Sequence, residues 1–244
     1  MKLTVGYLYP NLLNLYGDTG NVKCLQKRLQ WRGMEGEVCL FSGGSAIDFQ
    51  KVDIVLLGGG SDREQEIACR YLKGIGGRLR DFIESGGVLL AVCGGYQLLG
   101  NYYRTQNTMI EGLGILDIYT EWKPERLAGD VILDSAAFGS PVVGFENHSG
   151  RTYIGNHTPF GRVRQGHGNT DRGEWEGVLY KNVVATYLHG PLLPKNPEVC
   201  DYLLERALKR KYGNGAKLEP LPDELEHAAS QYIVKRYGKE GRLG

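Results

Sequence analysis

Apolar residues fall along this chain in two rhythms. Short, nearly unbroken runs occupy Leu3-Thr4-Val5-Gly6-Tyr7-Leu8, 36–41, Val52-Asp53-Ile54-Val55-Leu56-Leu57, Val88-Leu89-Leu90-Ala91-Val92 and Val183-Val184-Ala185-Thr186-Tyr187-Leu188. Runs of that length and composition predict strands, and the unbroken ones predict strands covered on both faces. Elsewhere apolar side chains recur every three or four positions, as at Val22, Leu25 and Leu29, which predicts helices over about 21–32, 64–84, 196–212 and 223–237. Gly74, Gly76 and Gly77 interrupt the second of these and predict a break inside it.

Strand and helix alternating at this spacing imply right-handed crossovers and a mostly parallel sheet, whose functional loops gather at the carboxyl ends of the strands. Gly58-Gly59-Gly60 and Cys93 then share one edge. From about 105 to 185 the pattern changes to short strands and many glycines, with antiparallel or irregular additions expected around 116–120, 131–133 and 142–146. Segment 161–177 is polar enough to read as an irregular, mobile stretch. The expected organisation is one α/β domain over 1–205 and an extension over 206–244, set off by Gly213-Asn214-Gly215, Pro220 and Pro222, that carries the last amphipathic helix.

Composition narrows the class. With 244 residues the chain can bury a substantial core, and a net charge of +1 asks for no polyanionic partner, so nucleic acid is not expected. Five scattered cysteines without a C-x-x-C pair fit neither a disulfide framework nor a zinc knuckle and suit a reducing cytoplasm. No leader and no apolar run near the roughly 20 residues of a membrane span is present, so a soluble cytoplasmic protein is expected. His148, His157 and His167 lack ligand spacing, and no metal site is expected.

The chemistry-bearing feature is the strand that runs into Cys93-Gly94-Gly95-Tyr96-Gln97. A sharp strand-to-helix turn exposes its apex side chain, and glycines beside it let substrate and N–H donors approach. The start of the following helix would favour a thiolate. A cysteine that merely fills a strand end is the plain alternative. His189 ends another predicted strand on the same edge and would serve as the base, returning the proton to a leaving group. A capping or core-edge histidine is its alternative. Backbone N–H groups at Gly94 and within the triple glycine, at Gly59, would form an oxyanion hole, unless that loop is only a tight connection.

The segments Leu57-Gly58-Gly59-Gly60, Ala91-Val92-Cys93-Gly94-Gly95-Tyr96-Gln97 and Tyr187-Leu188-His189-Gly190 resemble the class I glutamine amidotransferases, over about residues 3–205, and within them the cobyric-acid-synthase-like branch. Tyr9-Pro10-Asn11-Leu12, Tyr16-Gly17-Asp18-Thr19-Gly20-Asn21, Gly144-Phe145-Glu146-Asn147-His148 and Leu188-His189-Gly190-Pro191-Leu192-Leu193-Pro194 are similar to the members of that branch that amidate lipid II. The resemblance implies a flavodoxin-like sheet flanked by helices and a glutaminase in which Cys93 forms a glutamyl thioester and ammonia leaves. It also implies that Gln97 and Arg126 hold the glutamine, the guanidinium being a natural fork for its carboxylate. An exposed surface arginine is the alternative for Arg126. Asn147 and His148, at the end of a predicted strand, are expected to line the same pocket.

One departure stands out. The wider class places a glutamate two residues after its histidine, where this chain has Pro191. The orienting carboxylate is therefore expected from Glu146 or from a partner subunit. No G-x-x-x-x-G-K-[ST] loop is present, so no cofactor is expected in this chain, and the ligase half should be another polypeptide. By resemblance that partner is a Mur-ligase-like amide ligase holding ATP and Mg, which amidates the D-glutamate of the lipid II stem peptide at the inner face of the membrane. Leu225, Ala229, Tyr232 and Ile233 on the last helix could meet it or pack on their own domain. Two other readings stay open: the same glutaminase serving corrinoid amidation, and a cysteine hydrolase or binding module that uses the same turn.

Overall fold

Two sheets grow from the two halves of that pattern. The computed structural model describes residues 1–139 and 141–240. The first sheet contains β1 (Lys2–Leu8), β2 (Glu35–Phe41), β3 (Ile54–Leu57) and β4 (Val88–Val92) from the first half of the chain. The second half supplies β5 (Tyr102–Arg104), β6 (Met109–Glu111), β7 (Tyr119–Asp134), β8 (Pro141–Tyr153), β9 (Gly161–Gln165) and β10 (Trp175–Glu176) to the second sheet, then returns β11 (Val178–Tyr180) and β12 (Val183–Thr186) to the first.

The first sheet has the order β11-β12-β4-β3-β1-β2 and is parallel except for β11. Every residue of β3, β4 and β12 is buried, as the unbroken apolar runs predict for strands with elements on both faces. Burying side chains such as Leu89 and Leu90 contributes about 1.5 to 3 kcal/mol each. The helices are α1 (Thr19–Trp31), α2 (Asp62–Lys73), α3 (Gly76–Glu84), α4 (Gly94–Leu99), α5 (Pro197–Tyr212) and α6 (Glu224–Glu240). The glycine break expected near 74–77 separates α2 from α3. Ser61 and Glu64 start α2 with a reciprocal capping box.

Register carries the functional consequence. Leu57 pairs with Ala91 and Val92 with Thr186, so residues 58–60, 93 and 187–189 all leave the sheet at one rim.

The second sheet runs β10-β9-β7-β5-β6, with β8 on β7. Where short strands were expected, β7 and β8 form one long antiparallel ribbon. From Glu121 to Asp130 β7 is mostly polar and only Leu127 is buried, which disguises the length. Trp122 pairs with Gly150 and Leu127 with His148, so five steps along β7 match two along β8, and a bulge carrying Arg126 is thrown out of the ribbon. Segment 161–177 contains β9 and β10 rather than irregular chain. Its polar groups bind inward: Asn169 bonds both the N–H and the carbonyl of Gly177, and its Oδ1 accepts from Tyr96 Oη.

The expected boundary at 205 falls inside α5, which continues to Tyr212, so the break lies between α5 and α6. Arg28 of α1, 1% exposed, bridges Asp201 of α5 and Asp223 just before α6 and ties the extension to the body. On α6, Leu225, Ala229 and Tyr232 face outward, while Ile233 is half-buried. No helix among the described residues is long and apolar enough to cross a membrane.

Candidate active site

Cys93 occupies a backbone conformation that residues with side chains rarely adopt, φ 50° and ψ −105°. Its neighbours hold it there. The Cys93 N–H donates to the Thr186 carbonyl at 2.8 Å and the Gly95 N–H to the Gly58 carbonyl at 3.0 Å, which locks the turn to the strands on either side. Only glycine fits beside it: a Cβ on Gly95 would lie 2.4 Å from the Leu57 carbonyl oxygen. A methyl on Gly59 would lie 3.1 Å from Cys93 Cβ and 3.6 Å from His189 Cε1. Thiol and imidazole therefore flank the same backbone position.

His189 is carried by the second sheet as well as the first. Its N–H donates to the Phe145 carbonyl at 2.7 Å and its carbonyl accepts from the Phe145 N–H at 3.3 Å, stitching the end of β12 to β8. The ring lies against Tyr16, with centroids 4.2 Å apart. Both ring nitrogens are buried without a hydrogen-bond partner.

Burial disfavours the charged form of both members of the pair. Burial, with Asp18 nearby, pushes the Cys93 thiol up to about 12, against the Gly94 N–H that favours the thiolate. Burial, and then His148, brings the imidazole down to about 3. The Gly94 N–H at the start of α4 favours the thiolate, as expected of a helix start, and burial opposes it more strongly.

A cavity of about 390 Å³ opens over Cys93, lined among others by Gln97, Trp122, Arg126, Asn147 and His148. The bulge in β7 places Arg126 there, its Nη1 donating to Asn147 Oδ1 at 2.7 Å. Gln97 donates through Nε2 to Tyr187 Oη at 3.0 Å, and its buried Oε1 has no partner. His148 stacks on Tyr187 with 3.6 Å between centroids and pairs through Nδ1 with the Gly150 carbonyl at 2.7 Å. An orphaned acceptor, a guanidinium and an amide around one cavity suit an amino acid with a carboxylate and an amino group.

Two expected assignments change. Glu146 does not orient His189: its Oε1 accepts from the His167 N–H at 2.7 Å and stands 2.9 Å from Nδ1 of that ring, while Oε2 accepts from the Gly168 N–H at 2.8 Å. Among the described residues its other approach to a ring is His148 Nε2 at 3.5 Å, an ion-pair distance rather than a hydrogen bond. The Glu146 side chain turns instead toward the loop after β9, where the His167 and Gly168 N–H groups hold it. Gly59 beside the nucleophile is placed as an oxyanion donor, but its N–H is already committed, at 2.9 Å, to the carboxylate of Asp18.

Asp18, Tyr16, Tyr187 and Glu176 were not foreseen. Glu176 is fully buried, accepting from Thr186 Oγ1 and from the Tyr187 N–H at 2.6 Å, and so shapes the turn that leads to His189. Tyr16, Asp18 and Tyr187 lie in segments that carry the resemblance, with no role assigned to them there.

A strained cysteine turn on a parallel sheet, a histidine at the end of the next strand and an amino-acid-sized cavity over the cysteine suit a cysteine amidohydrolase site of the glutaminase kind. Residues 4–197 match the CobB/CobQ-like glutamine amidotransferase domain, and the chain belongs to that family of glutamine-hydrolysing enzymes. It is similar along its whole length to the lipid II isoglutaminyl synthase (glutamine-hydrolysing) subunit GatD of Staphylococcus aureus, 46% identical over 242 residues covering 98% of each chain. The subunit of that name from Streptococcus pneumoniae is 38% identical over 97% of this chain and 90% of its own. A cobyric acid synthase from Listeria innocua is 31% identical over 59% of this chain and 29% of its own length. Among solved structures, a chain of PurLQS from Thermotoga maritima superposes with a TM-score of 0.58 at 17% identity, covering 86% of this chain and 99% of that one, a likeness of fold alone.

Proposed function

We propose that this chain is the glutaminase subunit of a two-subunit enzyme that amidates the D-glutamate of lipid II. The carrying observation is the Cys93 turn facing His189 across Gly59 at the floor of the Arg126 cavity. Arg126 takes the glutamine carboxylate, with Asn147 holding the guanidinium, and Gln97 Oε1 and His148 border the rest of the substrate. The thiol proton passes to His189 as sulfur bonds to the carboxamide carbon. The tetrahedral adduct collapses with cleavage of C–N, the imidazolium returns the proton, and ammonia departs. Water, deprotonated by the same imidazole, then cleaves the thioester, releasing glutamate and restoring the thiol.

An imidazole brought down to about 3 is a poor base until a carboxylate meets it. Glu146 is occupied and position 191 is proline, so the orienting carboxylate comes from the ligase subunit. That subunit is Mur-ligase-like and holds ATP and Mg, which supply the acyl phosphate that ammonia attacks. Similarity over nearly the whole of the two isoglutaminyl synthase subunits, against under a third of a cobyric acid synthase, favours cell-wall over corrinoid amidation.

Glutamate release from glutamine tests the reading, with wild type and Cys93→Ala alone and with the ligase. A loss of about 10³-fold or more in Cys93→Ala is expected; activity that survives the substitution overturns it. Co-purification with a Mur-ligase-like protein separates the cell-wall role from the corrinoid one.

A further inference from the structure

Asp18 stands at the N-cap of α1, where an aspartate ordinarily accepts a first-turn N–H of its own helix. Its side chain makes no such bond. Asn14 has that duty instead, its Oδ1 accepting from the Thr19 N–H at 2.9 Å and from Thr19 Oγ1 at 3.1 Å. The Asp18 carboxylate, 1% exposed, reaches across to the triple glycine and accepts the Gly59 N–H. The contact is part of a longer seam. Leu15 N–H donates to the Gly59 carbonyl at 2.9 Å, and a Cβ on Gly58 or Gly60 would lie 2.3 Å from the Leu13 or 2.7 Å from the Leu12 carbonyl oxygen.

This contact opposes the reaction twice. Attack on a carboxamide drives negative charge onto its oxygen, and N–H donors beside the nucleophile must receive that charge. Gly59 is so placed, yet its single hydrogen already serves a carboxylate. The same carboxylate is an anion next to the site where both the thiolate and the oxyanion must form, and it works against each. Residues 12–18 also hold Tyr16 over His189. One loop thus touches the donor, the base and the mouth of the cavity.

We propose that Asp18 is a positioning residue that keeps the oxyanion site closed in the unpartnered chain, and that turnover requires residues 12–18 to withdraw its carboxylate so that the Gly59 N–H passes to the substrate oxygen. The proposal rests on the glutaminase reading above. It makes the bond between Asp18 and Gly59 a restraint to be broken rather than a support to be kept.

Asp18→Ala removes the acceptor, and Asp18→Asn keeps an acceptor oxygen without the charge. Amide exchange at Gly59, read by NMR, should be faster in Asp18→Ala than in wild type. Glutamate release by the unpartnered chain should rise by about tenfold, part of the roughly 10²-fold that one oxyanion donor is worth, and in kcat rather than KM because the bond forms only in the transition state. Asp18→Asn should fall between the two, and serves alone if the alanine variant does not fold. With the ligase bound, wild type and variants should converge. Unchanged or lower kcat in folded variants whose Gly59 amide is freed, or Asp18→Asn no faster than wild type, overturns the restraint and leaves the glutaminase reading standing. No glutamate from the wild-type complex overturns both.

Discussion

Phe145 and His189 exchange two backbone hydrogen bonds, so the second sheet fixes the height at which the imidazole meets the cysteine turn. The fit behind this contact is tight: a Cβ on Gly144 would lie 2.8 Å from Leu188 Cβ and 3.2 Å from its Cδ2. Gly144→Ala must push Leu188, and His189 with it, away from Cys93. The expected cost is about 1–3 kcal/mol of stability, with glutaminase activity falling further than the lost folded fraction explains. Urea unfolding alongside glutamate release measures both; full specific activity per folded molecule would count against the coupling.

Arg126 is held over the cavity by its bond to Asn147 and by the bulge that breaks the register of β7 and β8. A charge-assisted bond to a carboxylate contributes about 1.5–3 kcal/mol, so Arg126→Ala should raise KM for glutamine by about ten- to a hundredfold. Arg126→Lys keeps the charge but loses the fork and should recover only part. Steady-state kinetics with glutamine decide it. A KM unchanged in both variants would make Arg126 a surface residue.

The parallel sheet and the edge shared by Cys93 and His189 were legible because unbroken apolar runs and the positions of the two residues both follow from local order. Strand register then makes the juxtaposition nearly automatic. The role of Glu146 was not legible, since it turns on which face of β8 each side chain takes. That face is set by pairing with Leu127 through Gly129 on a strand whose length the sequence conceals. Asp18 was hidden for another reason: its partner lies 41 residues away, and in its own loop it looks like an ordinary helix cap.

Two buried glutamates should tilt stability with pH in opposite directions. Burial pushes the Glu176 carboxyl from 4.5 up to about 8, outweighing the Tyr187 N–H and the Thr186 hydroxyl. A raised folded value means its stabilisation is complete below about pH 4.5 and drains away as pH rises through about 8. Glu146 is also penalised by burial, but His148, the His167 N–H and the His167 ring together hold it below its ordinary value. Its stabilisation is present above the unfolded value and is lost as pH falls through the folded one. Glu176→Gln should therefore gain on wild type as pH rises from about 5 to 9, and the deficit of Glu146→Gln should shrink on acidification. Urea midpoints from about pH 3 to 9 check both signs; three parallel curves would refute them.

Arg28 ties three parts of the chain at one buried point. Its Nε and Nη2 fork onto Asp201, its Nη1 and Nη2 onto Asp223, and Arg32 Nη2 adds a further bond to Asp201 at 2.6 Å. Asp223 immediately precedes α6, at the end of a mostly exposed 213–223 linker that is otherwise held by Arg32 Nε on the Glu219 carbonyl at 2.6 Å and by Ala216 and Leu218 against the core. Arg28→Met would fill much of the space but leave two carboxylates facing one remaining guanidinium, at a cost of about 3 kcal/mol. Because Arg32 still answers Asp201, Asp223 is the group left stranded, and the strain is relieved by releasing α6 rather than by unfolding α1. The linker should then become a site of limited proteolysis, yielding a product that ends between α5 and α6, while the parallel sheet stays folded by circular dichroism. Cleavage scattered through α1 and α5 instead would show that the cluster holds the body together and not the extension.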